Sequence, residues 1–157
     1  MSLIKQIAVI GGVGVLLYMG TQAAMPRGIR NKNPLNIEYN KSNDWEGQTG
    51  VEPEGRFARF SAAKYGIRAG AKLINNYMTI HNKQSVIAIL ERFAPSNENH
   101  TANYANFVAN KLGVGVSERL TTKHIPAMVK AMIQFENGLN PYTDDYINQG
   151  CQMAGVI

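Results

Sequence analysis

The stretch Ile125-Pro-Ala-Met-Val-Lys-Ala-Met-Ile-Gln-Phe-Glu-Asn-Gly138 decides how this chain is read. Its Ile125, Met128, Val129, Met132, Ile133 and Glu136 recur at i, i+3, i+4, i+7, i+8 and i+11, the repeat of a helix with one apolar face. Thr121-Thr122 ahead of the run supply a start, and Gly138 supplies a stop. The last member of the stripe is a carboxylate. On a core-facing stripe such a group either finds partners or stays protonated, because burial disfavours its charge. A protonated carboxyl group in a cleft is what the general acid of glycosidic cleavage has to be. A residue in the last turn can also point into water, and spacing alone leaves both placements of Glu136 open.

Working back along the chain, the same periodicity recurs. Thr101 to Leu112 carries Tyr104, Phe107, Val108 and Leu112 on one face, with Gly113 as its stop. Val86, Ile87, Leu90 and Phe93 mark a shorter helix ending before Pro95. Ser61 is placed to cap a helix whose stripe runs through Tyr65, Ala69, Leu73 and Tyr77. From Arg27 to Phe60 the chain is dense in Asn, Gly and Pro, which reads as loops and a small hairpin. The expected fold class is mainly α, with a small β-hairpin lobe.

The N-terminus reads differently. From Gln6 to Pro26 there is no charged side chain, with Lys5 before the stretch and Arg27, Arg30 and Lys32 after it. About 20 residues of helix cross a hydrocarbon core of about 30 Å, so this stretch, apolar at its centre from Ile7 to Gly20, is just long enough and predicts one transmembrane helix. Gly11, Gly12, Gly14 and Gly20 suit a soluble helix poorly and are tolerated in a membrane. A secretory signal peptide is the competing reading, with Thr21-Gln-Ala-Ala24 as its cleavage site. The organisation expected is a membrane anchor over 1–26 and one functional domain over 27–157.

Charge and composition remove several function classes. The 157 residues carry 16 Lys and Arg against 11 Asp and Glu, a formal net charge of +5. That surplus favours a polyanionic partner: nucleic acid, an anionic bilayer or a bacterial cell wall. The basic residues do not cluster on one helix face, so no nucleic-acid partner is expected. Cys151 is the sole cysteine, and His81, His100 and His124 form no HExxH or HxH spacing, so no metal site is expected. Gly11-Gly-Val-Gly14 lacks the GK[ST] of a phosphate loop, and no cofactor is expected. Cys151 with His124 lacks a third group to orient the base.

A second carboxylate is harder to place. Asp44, Glu46, Glu52 and Glu54 cluster in the hairpin region, where any could act as base or charge stabiliser opposite Glu136, or merely be solvated. Glu98 reads as a cap for the helix that follows it.

Longer motifs suggest relatives. Arg27-Gly-Ile-Arg-Asn-Lys-Asn-Pro-Leu-Asn-Ile37, Trp45-x-Gly47-Gln-Thr49, Gly55-x-Phe57-x-x-Phe60-Ser61 and Tyr65-Gly-Ile-Arg-Ala69 resemble a small protein family of lipid-containing, corticovirus-type phages with an R-N-N-N-P-G-N-I signature. That family is usually described as structural. Lys32, Leu35 and Glu38 stand where its pattern has Asn, Gly and Arg. More distantly, Asn33 to Leu73 is similar to the β lobe of glucosaminidases of the lysozyme superfamily. Ala127 to Pro141 is similar to the Glu-bearing helix of lytic transglycosylases, although Asn137 replaces their serine. Glu98-x-x-Thr101-x-x-Tyr104 resembles their E-T-x-x-Y motif, whose tyrosine lies in the active site.

These resemblances imply a circularly permuted, lysozyme-like α+β domain behind the transmembrane helix. They imply a membrane-anchored, virion-associated enzyme that cuts the glycan strand of peptidoglycan during phage entry or exit. Glu136 would be the general acid, with Glu52 or Glu54 as the second carboxylate if the enzyme is a hydrolase. Tyr104, Asn33, Asn36 and Trp45 would line the glycan cleft, or else serve local turn and core structure. The implied partners are peptidoglycan, a phage or host lipid bilayer, and capsid or spike proteins. The implied location is the virion membrane or host inner membrane, with the domain facing the periplasmic wall. A non-catalytic structural protein of the phage membrane, whose body holds a partner, is the alternative.

Overall fold

Several helix signals act where they stand. In the computed structural model, which describes residues 7–10, 15–18, 25–95 and 98–157, Ser85 caps a helix by accepting the Ala88 N–H at 3.3 Å. That helix ends ahead of Pro95, as the proline requires. Gly113 and Gly138 follow two other helices with φ of +70° and +71°, left-handed values a glycine adopts without strain.

In chain order the elements are β1 (Ile7–Ile10), β2 (Val15–Tyr18), α1 (Arg27–Arg30), β3 (Gln48–Val51), β4 (Ala58–Phe60), α2 (Ala63–Thr79), α3 (Val86–Phe93), α4 (Glu98–Leu112), α5 (Ile125–Asn137) and α6 (Asp144–Met153). A 3-10 turn over Thr122–His124 leads into α5. β3 and β4 pair antiparallel with an irregularity between Gln48 and Gly50, and Glu38 bridges to Phe57 beside them. This is the small hairpin expected between Arg27 and Phe60.

The expected fold class needs correction at its N-terminus. Among the described residues no helix is long and apolar enough to cross a membrane. Ile7–Ile10 and Val15–Tyr18 instead pair as antiparallel strands, with Ile7 opposite Tyr18 and Ile10 opposite Val15. Hydropathy alone suggested a spanning helix, yet β-branched Ile7, Val9, Ile10 and Val15 favour extended backbone. The remainder of the proposed 1–26 anchor, apart from Met25 and Pro26, lies outside the described residues. A mixed helical fold with two separate two-stranded sheets therefore replaces the mainly α, lysozyme-like body behind a transmembrane helix.

Two smaller differences concern α2 and α6. Ala62, not Ser61, is the N-cap of α2, and no side chain caps it. The deepest face of α2 is Ile67, Gly70, Ala71, Ile74 and Met78, while Tyr65, Leu73 and Tyr77 are half-buried at its margin. Helix α6 has no counterpart in the periodicity reading, since its buried face is only Ile147, Gly150 and Cys151. Thr143 starts it by accepting the Tyr146 N–H.

Close approach of the chain to α2 positions everything that follows. A Cβ on Gly66 would lie 2.5 Å from the Lys32 carbonyl oxygen, and one on Gly70 would lie 2.0 Å from Leu35 Cδ1. The Asn31–Ile37 loop can therefore sit directly on α2 only because both positions lack a side chain. Leu35 is fully buried and has nowhere to retreat. Gly70→Ala is expected to lose about 1–3 kcal/mol through overpacking. An unchanged midpoint in urea unfolding would overturn this account of the loop's seat.

Candidate functional site

The loop that α2 supports carries three asparagines with different tasks. Asn33 is fully buried and spent on the backbone: its Nδ2 donates to the Ile37 and Ala58 carbonyls at 2.9 Å each, and its Oδ1 accepts the Ile37 N–H at 3.0 Å. Asn31 donates to Glu52 at 2.7 Å. Asn36 adopts φ of +50°, a left-handed conformation that asparagine tolerates better than most residues. Its Nδ2 donates to Glu136 Oε2 at 2.9 Å, across 100 residues of sequence. Next to that carboxylate in the chain, Asn137 donates to the Pro34 and Ile133 carbonyls at 2.8 Å each, which ties the loop to the end of α5.

Tyr104 approaches the same carboxylate from α4. It is 1% exposed and stacks on Phe135 with ring centroids 4.0 Å apart. Burial first, and then the charge of Glu136, push its phenol well above the ordinary value, so the hydroxyl keeps its proton. That hydroxyl lies on the Glu136 side without closing a direct hydrogen bond. Among the described residues, five buried side-chain polar atoms lack a partner; the Tyr104 hydroxyl is one, and Asn36 Oδ1 and Asn137 Oδ1, which lie 2.9 and 2.6 Å from where a Cβ on Gly28 would stand, are two more.

Glu136 is half-buried and lines a cleft of about 250 Å³ together with Asn36, Glu38, Arg56, Phe57 and His100. A wider cleft of about 620 Å³ adjoins it, and Asn36, Glu38, Phe93 and Pro95 line both. The two form one groove. Glu136 has no ion-pair partner among the described residues, and its contact in the groove is the neutral Asn36 amide.

The other candidates lie elsewhere. Glu52 is 2% exposed and accepts from Arg27 Nε and Nη2, from Asn31, and from the Phe57 N–H at 2.8 Å. Burial alone would raise its titration, but Arg27, Asn31 and the Phe57 amide outweigh it and hold Glu52 down at about 2. Glu52 is thus a clamp between α1 and the hairpin, away from the groove. Glu54 is exposed in the β3–β4 turn. Trp45 packs half-buried against the core. The structure therefore brings Glu136, Tyr104 and Asn36 together, uses Asn33 as scaffold beneath them, and leaves Glu52, Glu54 and Trp45 outside.

Glu38, Arg56 and His100 were not among the sequence candidates. Arg56 donates twice to Glu38 Oε1, at 3.0 and 2.9 Å. A local signal for Glu38 existed in the alternation of buried Ile37 with its exposed neighbour, once the bridge to Phe57 marks extended backbone. Among the described residues no group of three or more His, Cys, Asp or Glu could hold a metal ion. Cys151 is fully buried, and burial pushes its thiol up to about 12, so it offers no thiolate.

Tyr104→Phe isolates the hydroxyl. Because that group closes no direct bond, stability is expected to hold within about 1 kcal/mol. Urea unfolding checks this: a loss well beyond that figure would show the hydroxyl to be paired in the folded chain.

No protein-family model matches the chain. Protein P5 of Pseudoalteromonas phage PM2 is 39% identical over 146 residues, covering 92% of this chain and 91% of that protein. The chain belongs to the family of Protein P5. Its kinship with phage proteins, expected from the Arg27–Ile37 run, is thereby shown, and coverage this extensive takes in the whole groove region. The name P5 specifies no activity, so the chemistry has to be argued from the groove.

Proposed function

We propose that this phage protein cleaves the glycan strand of peptidoglycan, with Glu136 as the general acid. The observation that carries the reading is Glu136 itself, half-buried on the groove, held by the Asn36 amide and overlooked by the protonated Tyr104. In the reaction the Glu136 carboxyl proton passes to the glycosidic oxygen as the bond from that oxygen to the anomeric carbon breaks. A hydroxyl of the same sugar then attacks the anomeric carbon and returns its proton to the Glu136 carboxylate. No second carboxylate is required, and the product is an anhydro-sugar end. Asn36 orients the carboxyl group in both of its states, because an amide N–H donates to either. The enzyme would reach the periplasmic wall with the phage particle, where a basic surface suits an anionic polymer.

Glu38 supports a second reading, because it lines the same groove. As a base it would take a proton from water, and cleavage would leave a reducing end. Incubating the full chain with purified peptidoglycan and reading the released ends by mass spectrometry separates the two. Anhydro ends support intramolecular attack, reducing ends support hydrolysis, and intact sacculi across several wall chemotypes would defeat both.

A further inference from the structure

The wider part of the groove is built differently from the part beside Glu136. Its walls include Tyr39, Tyr77, Lys41 and Arg92. Arg92, in the last turn of α3, places its guanidinium 5.2 Å from the Tyr77 ring centroid, and its Nη2 lies 3.4 Å from His81 Nε2. Neither Arg92 nor Lys41 has a carboxylate partner among the described residues. The carboxylate on this stretch, Glu38, is already engaged by Arg56. Two cations thus face the groove with no carboxylate partner among the described residues, beside aromatic rings that offer flat faces. Tyr39 is 37% exposed, enough to meet a ligand. At about 620 Å³ the space falls within the range of about 300–1,000 Å³ typical of ligand pockets.

We propose that this wider cleft is a subsite for acidic sugar residues, in which Tyr39 and Tyr77 stack on the rings while Arg92 and Lys41 meet carboxylates borne by the sugar or its peptide stem. The inference rests on the glycan-cleaving reading and specifies its substrate: a strand carrying lactyl or stem-peptide carboxylates, not a neutral N-acetylglucosamine polymer. Asn36 and Glu38, shared by both parts of the groove, set the path by which such a strand runs on to Glu136. A strand bound this way presents its acidic units at fixed spacing from the scissile bond, so the cations select register as well as charge.

Binding of the full chain to three probes tests this at low salt: stem-bearing glycan strands, the same strands stripped of stems to the lactyl carboxylate, and neutral chitotetraose. Both acidic strands should bind about five- to tenfold more tightly than chitotetraose, a preference that shrinks as salt rises. Combined Arg92→Gln and Lys41→Gln should erase the preference, so that acidic and neutral probes bind alike. Equal binding of acidic and neutral probes overturns the proposal, and so does a preference that survives in the double variant. Tighter binding of a single-stranded oligonucleotide of matched length also overturns it, in favour of a general polyanion groove. Catalysis can fail separately: intact sacculi alongside a retained, Arg92-dependent preference would sink the cleavage reading and leave the acidic subsite standing. Fragment release without the preference would do the reverse.

Discussion

Glu136→Gln leaves the chain folded and lowers release of fragments from purified peptidoglycan by about 10²–10⁴-fold, the contribution a positioned general acid makes. Gln is nearly isosteric and can keep a hydrogen bond with Asn36, so the groove stays formed. What disappears is the proton that the leaving oxygen must receive. Circular dichroism and the thermal midpoint establish that the variant is folded; release is then compared over time on the same substrate batch. Unchanged release from a folded variant would remove Glu136 from the chemistry and turn attention to Glu38, the other carboxylate on the groove. Glu38→Gln gives the complementary outcome. It spares a reaction driven by intramolecular attack and stops one that depends on activated water.

The second large effect concerns stability. Arg27→Met is expected to cost about 3 kcal/mol, the lower end of the range for breaking a buried ion pair, because Arg27 is itself 36% exposed. In the variant the Glu52 carboxylate, 2% exposed in the wild type, keeps only the Asn31 amide and the Phe57 N–H to hold its charge. The same clamp predicts an acid limb. Glu52 titrates at about 2 in the folded chain against 4.5 when free, so its carboxylate binds protons more weakly when folded. Its contribution is fully present above pH 4.5 and is lost as the pH falls from there towards 2. Urea unfolding at a series of pH values should show stability declining over that window in the wild type. Glu52→Gln should flatten the decline. An equally steep decline in that variant would assign the acid sensitivity to other carboxylates. Loss of Arg27 should also reduce activity modestly, since α1 and the Asn36 loop share this anchorage.

Much of the helical half was legible because its signals are local. Pro95, Gly113 and Gly138 stop helices by backbone chemistry that needs no tertiary context. The stripe of α5 carried Glu136 onto a half-buried face, and the stripe of α4 carried Tyr104 inward, so two members of the candidate site were readable. Helix α6 was not, since Gly150 lies against Ile67 with room for no side chain and leaves too thin an apolar pattern. The N-terminal run misled for a different reason: total hydropathy cannot distinguish a helix from paired β-branched strands. The second carboxylate was unreadable in principle. Whether an acidic residue of a turn is solvated, clamped or set on a groove depends on partners such as Arg27, which lies 25 residues before Glu52. Asn36 drew notice through its motif, but nothing near it in sequence announced Glu136.

The Asn36–Glu136 hydrogen bond has an implication for how the molecule comes into being. The loop that contributes Asn36 leaves the ribosome early, and the acid it must hold is translated 100 residues later. A nascent or prematurely terminated chain that stops short of α5 has half a groove and no acid. The Asn36–Glu136 contact is therefore deferred until synthesis is nearly over, and loop closure over that length, whose entropic cost grows with the logarithm of separation, becomes a late step of maturation.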